Sequence, residues 1–211
     1  MKQIKNRIAI LVAITFSFFG FQSSANAIEG LSVGLSYHTG AAMGTGKEVK
    51  SDDADNTTEE DGAFTFDVPS VFVEFSPNES FSFGVEYWPD SVDTPENLNK
   101  QDNGDGTNKN DGGSLSNKVS ASFEEHTTVY ANINLPYNTY LKVGYVMTDI
   151  ATEESLATGG AYNDADTTGY TVGLGYNHSA DNGIFVRVEL AATEYDDVSA
   201  TNVNDTEKTV T

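Results

Sequence analysis

The chain has 211 residues, with 32 Asp and Glu against 11 Lys and Arg, a net charge of −21, and no cysteine. So negative a chain repels phosphate, which excludes nucleic acid as a partner. Without cysteine it has neither disulfides nor thiolate metal sites, and its length suits a single domain.

Lys2, Lys5 and Arg7 form a basic start, and residues 8–21 are a largely apolar run of 14 residues. Ser23, Ser24 and then Ala25-Asn26-Ala27 supply small residues of the A-x-A type. That layout predicts a secretory signal peptide over residues 1–27, cut after Ala27 and read by the Sec pathway. The apolar run is shorter than the roughly 20 residues a spanning helix needs. Removing residues 1–27 leaves eight basic and 32 acidic residues, a net charge of −24 on the remaining domain, residues 28–211. No later stretch is apolar enough for a spanning helix, but a spanning strand needs only about 9–11 residues and is apolar at every second position.

The rest of the chain shows that period of two, the strand signature. Leu31, Val33, Leu35 and Tyr37 alternate with Ser32, Gly34, Ser36 and His38. The next segment is irregular. Phe64, Phe66 and Val68 share one parity, whereas Val71, Val73 and Phe75 take the other, and the switch at Pro69 predicts a bulge. Alternation returns at Phe81, Phe83, Val85 and Tyr87, and again at Val129, Ala131, Ile133 and Leu135. It continues through Leu141, Val143, Tyr145 and Met147, through Tyr170, Val172, Leu174 and Tyr176, and through Ile184, Val186, Val188 and Leu190. These make seven strands, and residues 208–211 read as the opening of an eighth. Single-chain barrels in lipid have an even strand number, so the eighth strand is expected to be truncated and the ring to close poorly.

Connections alternate in length. Residues 76–80, 136–139 and 178–183 are short and rich in Pro, Asn, Gly or Ser, as tight turns require. Residues 44–62, 89–117, 149–168 and 196–207 are expected to be long loops. Asp52, Asp53, Asp55, Glu59, Glu60 and Asp61 crowd the first of them, and residues 99–113 are mostly Asn, Asp, Gly and Lys, a composition that builds no packed core.

The face opposite the apolar one is small or weakly polar: Gly34, Ser36, Gly84, Gly144, Gly173 and Gly175 lie on it. Its charges, Glu74, Glu86, Lys142, Arg187 and Glu189, are expected to pair inside a narrow lumen as structural ion pairs. An apolar exterior around a polar interior is favourable only in lipid. Phe75, Phe81, Tyr137, Tyr140 and Tyr176 at the short-turn end, with Tyr37, Tyr87, Trp88 and Tyr170 at the other, predict two interfacial aromatic girdles.

The runs Asn138-Thr139-Tyr140-Leu141-Lys142-Val143-Gly144-Tyr145, Gly173-Leu174-Gly175-Tyr176-Asn177-His178 and Phe185-Val186-Arg187-Val188-Glu189 resemble the small eight-stranded outer-membrane barrels. That group includes the OmpA transmembrane domain, OmpX and the opacity proteins, and the similarity spans most of residues 28–211. The resemblance implies an all-β, antiparallel up-and-down transmembrane barrel in the bacterial outer membrane, touching lipid and lipopolysaccharide. It implies a non-enzymatic structural or cell-surface role, with a narrow cation-preferring pore as the alternative.

Other candidates are weaker. His178-Ser179 invites comparison with Ser–His lipid-modifying barrel enzymes, but adjacent strand positions point to opposite faces, so a polar turn is the expectation. Residues 102–106 hint at a calcium loop without the spaced ligands of an EF-hand; the acidic loops are expected to attract divalent cations only weakly. His38 and His126 face inward near the long-loop end and read as lumen lining, with no third metal ligand evident. No catalytic residue and no cofactor are expected.

Overall fold

A computed structural model of the chain describes residues 9–22, 29–50, 53–102, 114–156, 162–201 and 208–210. It is built of strands: β1 Ala9–Gln22, β2 Leu31–Lys50, β3 Asp53–Phe75, β4 Phe81–Tyr87, β5 Val92–Asp93 and β6 Asn97–Asp102, followed by β7 Ser114–Leu135, β8 Thr139–Leu156, β9 Ala165–Ser179, β10 Ile184–Tyr195, β11 Ala200–Thr201 and β12 Lys208–Val210. No helix among the described residues is long and apolar enough to cross a membrane, which says nothing about strands.

The ring strands pair antiparallel in the order β1, β2, β3, β4, β7, β8, β9 and β10, and β1 pairs with both β2 and β10, closing an eight-stranded barrel. β4, β5 and β6 share one position in the ring, all pairing with β7. Closure leaves the central ladders without free edges.

The expectation of a truncated eighth strand is corrected at the closure. The eighth strand is not an incomplete one formed by residues 208–211. Residues 208–210 pair with Glu48, Val49 and Lys50 outside the ring, and the closing strand is Ala9–Gln22. The run read as the core of a leader also carries a period of two, because Leu11, Ala13, Thr15 and Ser17 are buried while Val12 and Ile14 face outward. Its interruptions at Thr15 and Ser17, poor for a helix buried in lipid, suit a strand with a polar inner face.

The predicted bulge at Pro69 is absent. β2 and β3 keep one register from Leu31↔Phe75 to Val49↔Thr57, with Tyr37 opposite Pro69. Burial alternates unbroken through Phe66, Val68, Ser70, Phe72 and Glu74. The parity switch is real in hydropathy but not in geometry, because the inner wall of β3 is itself apolar above Ser70. Pro69 costs no ladder bond toward β4, since that pairing ends at Val71↔Tyr87. The ring's irregularities lie elsewhere, at Phe18/Gly20 of β1 and at Glu124/Thr127 of β7, where Glu125 has φ 50°.

Much of what reads as long loops is also strand. β2 and β3 remain paired through Gly44↔Gly62 and Lys47↔Glu59, and β7 and β8 through Val119↔Glu154. A ladder already registered inside a barrel extends one residue pair at a time, so Thr- and Val-containing polar sequence suffices to prolong it. Thr45 donates to Asp61 at 2.6 Å on the first extension, and Lys118 pairs with Glu96 at 2.7 Å beside the second. Residues 51–52, 103–113, 157–161 and 202–207 of the expected loops lie outside the described residues.

The outer face is an apolar belt. Leu35, Phe83, Val129, Val172, Leu174 and Leu190 all point away from the axis, Leu174 with 58% of its surface exposed. Phe75, Phe81, Tyr137 and Tyr176 stand outward at the short-turn end, and Tyr37, Tyr87 and Tyr170 at the other, where Tyr170 meets Tyr145 edge to face at 5.4 Å. Two aromatics leave the expected girdles. Tyr140 and Trp88 are buried in the lumen, because they share parity with Lys142 and Glu86 respectively.

Candidate functional site

The candidate site is the lumen. Four strands place five charges on the inward parity: Glu74 on β3, Glu86 on β4, Lys142 on β8, and Arg187 and Glu189 on β10. The structure gathers all five into two touching clusters.

In the first, Arg187 Nη1 and Nη2 donate to Glu74 Oε2 and Oε1 at 2.7 and 2.6 Å. Tyr130 Oη and Asn132 Nδ2 donate to the same carboxylate at 3.1 and 3.0 Å. A bidentate guanidinium–carboxylate pair with two further donors leaves that buried charge well satisfied. The guanidinium also lies over Phe185, 4.6 Å from the ring centre, and over Tyr140 at 5.6 Å.

In the second, Lys142 Nζ donates to Glu86 Oε2 at 3.1 Å and to Glu189 Oε1 at 3.2 Å. Ser70 Oγ donates to Glu86 Oε1 at 2.7 Å, and His38 Nε2 lies 2.9 Å from the same oxygen. Tyr140 Oη donates to Glu189 Oε2 at 2.8 Å. Lys142 Nζ sits 4.4 Å from the Tyr130 ring centre, which ties the clusters together.

Toward the long-loop end the lumen turns apolar. Leu11, Phe66, Val68, Trp88 and Val92 pack together. Trp88 stacks on His126 with ring centres 3.7 Å apart and lies 4.9 Å from His38. The two inward histidines thus flank one indole. Among the described residues no group of three or more His, Asp or Glu is placed to hold a metal ion.

Glycines make room for the tyrosines. A Cβ at Gly84 would lie 2.3 Å from Tyr130 Cζ, and one at Gly175 2.2 Å from Tyr140 Cζ. Gly84→Ala or Gly175→Ala is therefore expected to cost about 1–3 kcal/mol by overpacking. Gly62→Ala, with nothing within 4 Å of its Cβ, should stay within about 0.5 kcal/mol of wild type. Urea unfolding of the three variants measures this; equal midpoints would remove the socket role.

The space left among the charged groups is about 20 Å3, room for one water. A wider vestibule of about 470 Å3 opens at the short-turn end, floored by Glu74, Arg187 and Phe185 and rimmed by Glu29 and Glu79.

His178 and Ser179 end β9 and are both exposed; Ser179 Oγ lies 3.4 Å from Asn177 Nδ2. Of the calcium-loop candidate only Asp102, the last residue of β6, falls among the described residues. Residue type hid Tyr140 and Trp88 from a sequence reading, since aromatics suggest the outer belt. Parity was the available signal, as both fall in step with inward Lys142 and Glu86, just as Tyr130 falls in step with Asn132.

No protein-family model and no curated protein sequence matches the chain. Among solved structures, the InvG secretin domain β-barrel from the Salmonella SPI-1 injectisome aligns with 97% of this chain and 62% of its own at 5% identity and a TM-score of 0.13. The chain thus spans less than two thirds of that structure, and a likeness so slight carries no argument about function.

Proposed function

We propose that this chain is a non-enzymatic outer-membrane β-barrel of the small eight-stranded type, similar to the OmpA transmembrane domain, OmpX and the opacity proteins. Its role is structural or adhesive at the cell surface. The observation that carries this reading is the belt of outward Leu, Val and Phe around a lumen of paired charges. Water disfavours such an arrangement and hydrocarbon favours it.

The acidic extensions of the β2–β3 and β7–β8 hairpins then project outside the cell, where they meet lipopolysaccharide and surface partners and weakly attract divalent cations. Export through the signal in residues 1–27 belongs to the same proposal. The filled lumen favours a closed barrel over the narrow pore, since Lys142 and the Trp88 cluster both obstruct the axis. His178 and Ser179, side by side on one strand, give no support to a Ser–His enzyme.

A heat-dependent change of mobility in SDS gels tests the reading. Protein extracted from outer membranes is expected to run faster unheated than boiled. Recovery in the periplasmic fraction with one mobility throughout would sink it.

A further inference from the structure

The vestibule at the short-turn end is the one large space in the described part of the ring, and its volume of about 470 Å3 is that of a small-ligand pocket. Among the described residues its lining begins at Glu29 and comes from β2, β3, β4, β7, β9, β10 and the turns between them. No described residue of β1 takes part.

Two neighbouring side chains in its wall have hydrogen-bonding atoms left over. Arg187 of β10 and Asn177 of β9 are direct cross-strand partners, and both line the space. Arg187 holds Glu74 end-on through Nη1 and Nη2, which leaves the Nε–H edge of its fork to another acceptor. Nε is buried and has no partner among the described residues. Asn177 turns Nδ2 toward Ser179 Oγ at 3.4 Å, and its buried Oδ1 likewise has none. A buried donor or acceptor left unmatched is costly, and here one of each stands side by side.

The charge around this pair has one sign. Glu74 is occupied by Arg187, but Glu29 and Glu79 on the rim are exposed and have no cation beside them among the described residues.

We infer that the vestibule binds a short extended peptide carrying a basic side chain. In an extended chain the N–H and C=O of one residue point to the same side. One such residue matches the wall: its C=O accepts from Arg187 Nε, and its N–H donates to Asn177 Oδ1. Its basic side chain then reaches the open carboxylates of Glu29 and Glu79, whose negative field also speeds encounter with a cation. A simple cation would use the rim alone, and a neutral peptide the wall alone. The site is built into one end of the ring, so it stands whether or not the belt meets lipid.

Isothermal titration of the full chain in a non-ionic detergent with acetyl-Gly-Lys-Gly-amide tests this. Saturable binding at one per chain is expected. Exchanging the lysine of the peptide for norleucine should weaken binding about tenfold, the loss of a charge-assisted contact. Butylammonium, which has the charge without the peptide unit, should bind more weakly than either peptide. Glu79→Gln should weaken the lysine peptide about threefold or more and leave the norleucine peptide unchanged. Asn177→Leu should weaken both peptides alike, by about three- to tenfold, whereas Asn177→Asp keeps an acceptor and should retain both. The inference is overturned by the absence of saturable heat, by equal affinity for the lysine and norleucine peptides, or by an Asn177→Leu variant that binds as wild type does. Should Asn177→Leu not fold, Glu79→Gln on its exposed turn decides with the same two peptides: an unchanged preference for lysine overturns the site.

Discussion

Leu174→Arg is expected to destabilise the protein by about 2–4 kcal/mol in lipid vesicles, the cost of placing a cation at mid-depth on a barrel's lipid face. Leu174 pairs with Leu141 of β8 and Leu190 of β10 in the centre of the belt, more than half exposed. On a water-facing surface the same exchange would change stability by less than about 0.5 kcal/mol. Glu153→Arg, on the exposed extension of β8, is the matched control and should be neutral. Urea unfolding in vesicles reads both, with Trp88, the single tryptophan, as its fluorophore. Leu174→Arg and Glu153→Arg with equal midpoints would mean that the belt does not meet hydrocarbon.

The second large effect lies inside. Arg187→Met is expected to cost about 3–5 kcal/mol, because it strips the guanidinium from a buried carboxylate. Glu74 has 2% exposure, and only the neutral groups of Tyr130, Asn132 and Ser82 would remain to hydrogen-bond it. Adding Glu74→Gln removes the stranded charge while keeping an oxygen for Tyr130. The double variant should therefore recover part of the loss, a coupling of about 0.5–3 kcal/mol. What it does not recover is the stacking of Arg187 over Phe185 and Tyr140. Additive losses in the two single variants and the double would show that Glu74 and Arg187 do not act as a unit.

The lumen was legible in the sequence to the extent that charge is legible. Glu74, Glu86, Lys142, Arg187 and Glu189 share the inward parity of strands whose other face is apolar, so each could be assigned to the axis separately. Which carboxylate meets which cation could not be read. Arg187 reaches Glu74, 113 residues away, whereas its near neighbour on β10, Glu189, is bound by Lys142 and Tyr140. Those choices depend on how strands stagger around the ring, which no local pattern encodes. The aromatics fared worse, because Tyr130, Tyr140 and Trp88 are of a type common to girdle and core alike. Strand parity, and for Tyr130 and Tyr140 a glycine opposite at Gly84 and Gly175, show where a ring turns inward.

By itself the sequence determined the strand period, the short turns, the outward apolar residues and the acid-rich far end, since each follows from neighbours a few positions apart. The tertiary structure decided closure, partnering and continuity. It seated Ala9–Gln22 between β2 and β10, carried β3 straight through Pro69, and drew the expected loops into long paired hairpins. Backbone hydrogen bonds between distant segments govern these features, and they are satisfied by whichever strand has a fitting inner face, so hydropathy along the chain does not foretell them.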